Sequence, residues 1–161
     1  MLNLYLLRHG KAANPEKYDN DYDRPLNKKG IVQINQIGYK LQHQDNKIDQ
    51  LISSAALRTQ QTADIVNAYL GIQDVSLHQD LYLAANDIIL KKIQEEGREK
   101  TILYCGHNFG ISDIASYFAD DLYSMSTGML IHFEFNVDNW TDIGRGTGSV
   151  IEAYPPQIYL P

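Results

Sequence analysis

The sequence predicts an α/β protein, built as a three-layer α/β/α sandwich around a mostly parallel central sheet. Three observations lead there. Short apolar runs alternate with longer stretches of helical periodicity, the pattern of a sheet covered by helices on both faces. Three of the runs end abruptly in polar residues, at Arg8-His9-Gly10, Ser53-Ser54 and Gly106-His107. The chain's 161 residues suffice for one real core, so residues 1–161 are expected to form a single domain.

Leu2 to Leu7 is an apolar run of strand length that stops at Arg8. Residues 11–26 are polar and carry Pro15, Pro25 and four acids, which reads as a long loop. Asn27 is placed to cap a helix to about Gln44, with Ile31, Ile34, Ile37, Gly38 and Leu41 on its apolar face. Asp49 to Ser53 reads as a second strand. A helix from about Ala55 to Tyr69 follows, stopped by Gly71. Asp74 to Leu77 is a further short strand. Asn86 or Asp87 is placed to cap a helix to Glu96, closed by Gly97. Lys100 to Cys105 is another strand, cut by Gly106, and a helix runs from about Phe109 to Phe118. Met129 to Val137 and Gly148 to Tyr154 read as strands around the turn Gly144-Arg145-Gly146-Thr147-Gly148, to which no function is assigned.

Composition narrows the function classes. Hydrophobic residues make up 43% and charged residues 21%, as in ordinary globular proteins. The net charge of −6 argues against a nucleic-acid partner, so an anionic ligand needs a local positive pocket rather than a positive surface. The single cysteine, Cys105, has no internal disulfide partner and reads as an inert core residue in a reducing compartment. No run approaches the ~18 apolar residues of a membrane span. Met1-Leu2-Asn3-Leu4 lacks the basic start of a signal peptide, and a cytoplasmic location is expected.

In open α/β sheets, ligands bind beyond the carboxyl ends of the strands. The three polar clusters therefore point to one sheet edge. Together with Arg58 they offer Arg8, His9, Arg58 and His107. That set suits phosphoryl transfer, which needs cationic donors for the equatorial oxygens and a nucleophile in line. Guanidinium binds phosphate bidentately and stays charged. Neutral imidazole is nucleophilic near pH 7, and its second nitrogen can be held by a backbone carbonyl. A second, protonated histidine would share the developing charge. Arg58 opens a helix, where backbone N–H groups also favour anions. Gly10 and Gly106 would let a substrate approach the backbone closely. Two arginines and His107 supply positive charge, so no metal and no cofactor is expected.

These residues carry a resemblance. Leu6-Leu7-Arg8-His9-Gly10-Lys11-Ala12 resembles the RHG motif of the histidine phosphatase superfamily, whose fold is phosphoglycerate-mutase-like. Ser53-Ser54-Ala55-Ala56-Leu57-Arg58-Thr59-Gln60-Gln61-Thr62-Ala63 resembles its second signature, and Gly106-His107-Asn108 its third, in family order from Leu2 to about Tyr154. The short length, with Asp23-Arg24-Pro25-Leu26 and Gly30, resembles the SixA-type phosphohistidine phosphatases; Asn27 stands where they carry Thr. Ser126-Thr127-Gly128 is similar to a late turn of that branch, without its Pro. The resemblance implies a nucleophilic His9, with Arg8, Arg58 and His107 on the phosphoryl group and Ser54 and Gly10 near it.

One departure bears on the substrate. Many relatives carry a glutamate general acid in a segment resembling Leu81-Tyr82-Leu83-Ala84, where this chain has Leu83. An alkoxide leaving group needs a proton donor; the imidazole of a phosphohistidine manages with less help. The departure favours a phosphohistidine on a protein. Asp19, Asp21 or Asp23 is available as a substitute acid. The alternatives are a small-molecule phosphomonoesterase of the same mechanism and a weakly catalytic module that binds phosphoproteins. A monomer is favoured.

Simpler roles are open to many of these residues. Arg8 could pair with an acid of the 16–23 loop, and Arg58 with Asp64 on an exposed helix face. Ser53 and Ser54 could be helix caps. His43, His78 and His132 read as structural, Lys11 as a rim or solvent residue, and Asn14, by its offset from His9, is not expected to reach phosphate. Thr59 to Thr62 read as packing. Of the tyrosines, Tyr82 and Tyr104 are expected nearest the cleft.

Overall fold

The computed structural model describes residues 1–157. Six strands form one sheet: β1 (Leu2–Arg8), β2 (Gln50–Ser54), β3 (Asp74–His78), β4 (Thr101–Gly106), β5 (Leu130–Phe135) and β6 (Gly148–Tyr154). Four helices cover it: α1 (Lys28–Gln42), α2 (Leu57–Leu70), α3 (Asn86–Glu96) and α4 (Gly110–Ala119). The strand order is β3-β2-β4-β1-β5-β6. The pairings among β1 to β4 are parallel, and those of β1 with β5 and β5 with β6 are antiparallel. The expected α/β/α sandwich with a mostly parallel sheet is what forms.

Alternation along the strands splits the core in two. Leu4 and Leu6 of β1, Ile52 of β2 and Ile102 and Tyr104 of β4 pack with Ile89 and Ile93 of α3 and Ile111, Ile114 and Phe118 of α4. Tyr5 and Leu7, Leu51, and Leu103 and Cys105 pack on the other face with Ile34, Ile37 and Leu41 of α1 and Val66 of α2. Every residue of β2 and β4 is buried, as expected of central parallel strands covered on both faces.

Asn27 caps α1 as its sequence position predicts, its side chain accepting from the Gly30 amide at 2.8 Å. Other details differ. Ile31 is 43% exposed, because it falls off the stripe set by Ile34, Ile37 and Leu41. Neither Asn86 nor Asp87 caps α3; Ala85 holds that position with no side-chain bond. The loop of residues 11–26 contains two short 3-10 turns, Pro15–Lys17 and Asp21–Asp23, each capped by an asparagine. That capping is the role of Asn14, whose side chain accepts from Glu16 N at 3.0 Å. Among the described residues, no helix is long and apolar enough to cross a membrane.

Candidate active site

Three parallel strands deliver the polar clusters to one edge. Arg8 ends β1 directly opposite Gly106, the end of β4. His9 and His107 each follow by one residue, and their rings meet edge to face with centroids 5.3 Å apart. The His9 amide donates to the Gly106 carbonyl at 3.2 Å, locking the two strand ends together. β2, hydrogen-bonded to β4, ends at Ser54, and α2 brings Arg58 in one residue after its start. Arg8, His9, Arg58 and His107 therefore converge on one spot.

The His9 ring is fixed by its own backbone. Nδ1 donates to the Gly10 carbonyl at 2.7 Å, which leaves Nε2 as the free lone pair. Arg58 Nε points at that lone pair from 3.4 Å. Arg8 Nη1 donates to the Met125 carbonyl at 3.0 Å, and its Nε is buried without a hydrogen-bond partner among the described residues. His107 Nε2 lies 2.8 Å from the Ser54 hydroxyl, and its Nδ1 is likewise buried and unpartnered. Buried polar groups are nearly always satisfied, so two such atoms in one cluster single it out as a candidate ligand site.

Electrostatics agree. Burial, and then the Arg58 and Arg8 charges, bring the His9 pKa down to about 4, although its bond to the Gly10 carbonyl works against this. Burial, with His9 and Arg58 next, brings His107 down to about 2. Both rings are thus neutral at pH 7. For His107 this corrects the expectation of a ready-made imidazolium: the cluster already holds two guanidinium groups, and a third cation would be repelled. Burial and the Arg58 charge lower the pKa of Arg8 as well.

Of the three acids that the sequence offers in the 19–23 loop, one reaches the cluster. Asp19 and Asp23 are exposed and take no part in these contacts. Asp21 does reach the cluster, but as a carboxylate. It accepts from Arg58 Nη2 at 3.0 Å, from Arg24 Nε at 2.9 Å and from the Tyr82 hydroxyl. Burial works to raise its pKa, but the bonds from Tyr82, Arg58 and Arg24 outweigh it and bring it to about 2. It carries no proton to give near neutrality. The Arg58 to Asp64 pairing is also absent; Arg58 is 3% exposed and faces the site. Arg8 pairs with no acid of the loop.

Several supports had no simple sequence signal. The Gly10 amide donates to Thr62 Oγ1 at 3.2 Å, so it is engaged in holding the loop rather than free for phosphate. Its Cα faces α1 so closely that a Cβ would lie 2.7 Å from the Gly30 carbonyl oxygen. Gly128, at φ 72°, donates its amide to the His9 carbonyl at 2.9 Å and to that of Arg8 at 3.2 Å. Ser54 divides its hydroxyl between His107 and the Ala56 amide at 3.3 Å. Gln61 accepts from the Leu26 amide at 2.8 Å and ties the long loop to α2.

Tyr82 lines the cluster as expected, its ring 5.5 Å from that of His107. Tyr104 does not; it is wholly buried in the core, which pushes its hydroxyl pKa far up. Burial likewise raises the Cys105 thiol to about 12, as fits an inert core residue. Lys11 is exposed. His43 and His78 bond to near neighbours in the chain, Tyr39 and Ser76, and His132 of β5 bonds to Asn3 of β1. Among the described residues, no group of three or more His, Cys, Asp or Glu side chains is placed to hold a metal ion. A cavity of about 800 Å³ lies elsewhere, between α1 and Tyr154, and shares no residue with the cluster.

Comparison with known proteins follows the same lines. A family model for the histidine phosphatase superfamily (branch 1) matches residues 4–82, which hold Arg8, His9 and Arg58. An uncharacterized protein of Picosynechococcus sp. is 37% identical over 67 residues, covering 42% of this chain and 41% of its own. The match thus spans less than half of that relative's length. Among solved structures, a candidate phosphohistidine phosphatase SixA of Nakamurella multipartitia superposes with a TM-score of 0.83 at 23% identity, over 96% of each chain. A candidate SixA of Agrobacterium tumefaciens gives 0.83 at 21% identity, over 96% of this chain and 98% of its own. A protein histidine phosphatase SixA complexed with tungstate gives 0.81 at 18%, over 96% and 97%. Over residues 4–82 the chain thus matches the histidine phosphatase superfamily (branch 1), and over nearly its full length it shares its fold with the SixA proteins.

Proposed function

We propose that the protein is a phosphatase that takes a phosphoryl group onto Nε2 of His9 and passes it to water. The substrate class that suits the site best is phosphohistidine on a protein. The observation that carries this reading is the His9 ring, pinned through Nδ1 with its Nε2 lone pair facing a buried guanidinium 3.4 Å away.

The Nε2 lone pair attacks phosphorus, the bond from phosphorus to the leaving group breaks, and the leaving group departs with that electron pair. Water then attacks the phosphohistidine, the Nε2–P bond breaks with its electron pair returning to Nε2, and both protons of the water leave on the product, dihydrogen phosphate. Arg8 and Arg58 bind the equatorial oxygens as preorganised cations. His107 starts neutral; an arriving dianion favours its protonation, so it gains charge as the phosphoryl group does. Ser54 holds its ring in register.

The leaving group argues for the substrate. Asp21 is held as a carboxylate, and Leu83 stands 52% exposed at the position where many relatives carry glutamate. A site without a ready proton donor suits an imidazole leaving group better than an alkoxide. The test offers the protein a phosphohistidine peptide and a sugar phosphate side by side. Turnover of the peptide at a kcat/KM at least ~100-fold higher is expected, the scale of a missing general acid. Preferential turnover of the sugar phosphate would refute the substrate class. Release of phosphate from neither would refute the activity.

A further inference from the structure

A guanidinium offers two forks, the Nη1–Nη2 edge and the Nε–Nη2 edge, and each can hold a pair of oxygens. In Arg58 the first fork is filled from within the protein. Nη1 donates to the Asp21 backbone carbonyl at 2.8 Å, and Nη2 to the Asp21 carboxylate at 3.0 Å. The second fork is left turned on His9 Nε2. Asp21 is itself braced on both sides: by Arg24, which also reaches the Ala13 carbonyl at 2.9 Å, and by the Tyr82 hydroxyl. Tyr82 in turn stacks edge to face on Tyr22, with centroids 5.0 Å apart.

We propose that Asp21 is a positioning residue: it clamps the outer edge of Arg58 so that the Nε edge is presented to the phosphoryl group on His9. The proposal rests on the phosphatase reading of the site and gives Asp21 a role other than proton donor. An arginine side chain has several rotatable bonds, and fixing it before the substrate arrives removes an ordering cost from binding and from the transition state. The carboxylate also offsets one of two neighbouring guanidinium charges, which allows Arg58 to be buried at 3% exposure beside Arg8. Tyr82 and Arg24 act one step further out, by fixing Asp21.

The competing possibility is that Asp21 is a resident anion that the substrate must displace. The two are separated by orthovanadate affinity in four proteins: the parent, Asp21→Asn, Arg58→Ala and the double variant. Positioning through Arg58 is expected to weaken vanadate binding about tenfold in Asp21→Asn, and less than about twofold when the same change is made in Arg58→Ala, since coupled residues are non-additive. With a phosphohistidine substrate, Asp21→Asn is expected to lower kcat more than it raises KM, and Asp21→Glu to recover part of the loss. Tighter vanadate binding in Asp21→Asn would overturn the proposal in favour of a displaced anion. An equal loss in both backgrounds would overturn it in favour of a general effect on the loop. If Arg58→Ala binds vanadate like the parent, the phosphoryl site itself is misassigned, a failure distinct from that of Asp21.

Discussion

The two halves of the sheet are built differently and contribute differently to the site. On the parallel side, β1, β2 and β4 are buried on both faces and end together, and each hands a polar side chain of the cluster to the same edge. On the antiparallel side, β6 lines the sheet margin with no fully buried residue and supplies no group to the cluster. The segment leading into β5 is nonetheless indispensable in another way. Met125 receives Arg8 and the Asn108 amide through its carbonyl, and Gly128 pins the carbonyls of Arg8 and His9. The difference teaches that parallel strand ends supply the side chains of the proposed site, while the antiparallel lead-in supplies main-chain scaffolding to hold them.

The sharpest way to break this division is on the parallel side. His9→Ala is expected to lower phosphate release at least ~1000-fold, the scale seen when a nucleophile is removed, while circular dichroism still reports a folded protein. Retained turnover would take the chemistry away from β1. A smaller effect is expected from the scaffolding. Gly128→Ala meets Gln33 Cβ at 3.1 Å and forces a positive φ on a residue with a side chain, at a cost of about 1–2 kcal/mol in stability. Thr62→Val leaves the Gly10 amide without its acceptor, costing about 1–3 kcal/mol. Both should appear in chemical denaturation; a neutral Gly128→Ala would show that the lead-in segment is not a support. At the bottom of the scale, Ile151→Thr on the exposed face of β6 should change stability by less than about 0.5 kcal/mol and leave turnover intact.

Acid sharpens the comparison further. His9 and His107 are buried with pKa values of about 4 and about 2, below the ordinary histidine value of 6.5. The unfolded chain therefore binds more protons than the folded one between that value and the folded pKa, so the stability these groups leave at neutral pH falls as pH drops through the window. Melting temperature should decline from about pH 6.5 downward, and kcat/KM should fall as pH approaches 4 and Nε2 of His9 is protonated. Activity constant down to pH 3 would contradict a neutral His9 nucleophile.

The parallel half is also the half that sequence reasoning reads well. β1 and β4 are compact apolar runs, and the residues at or just past their ends carry types, Arg and His, that a core does not accept without reason. The antiparallel contribution is hard to read because it is made by backbone atoms. A carbonyl at Met125 reaching Arg8, 117 positions away, leaves no mark of residue type. Asp21 was visible only as one of several loop acids; its bond to Arg58 depends on how a 3-10 turn folds over the sheet edge, which no periodicity announces. The missing cap at α3 and the exposed Ile31 are errors of the same local kind, where a favourable residue type occurs beside the position the helix actually takes.

The account stands on His9 as the atom that carries the phosphoryl group between donor and water. The most direct measurement mixes the protein with a phosphohistidine substrate, quenches in alkali within one turnover, and maps the added phosphoryl mass by fragmentation of the peptides. The expected result is a transient label on the peptide containing His9, absent from His9→Ala and gone when substrate is exhausted. Rapid turnover with a label on another residue, or with none on any time scale resolved, would contradict it.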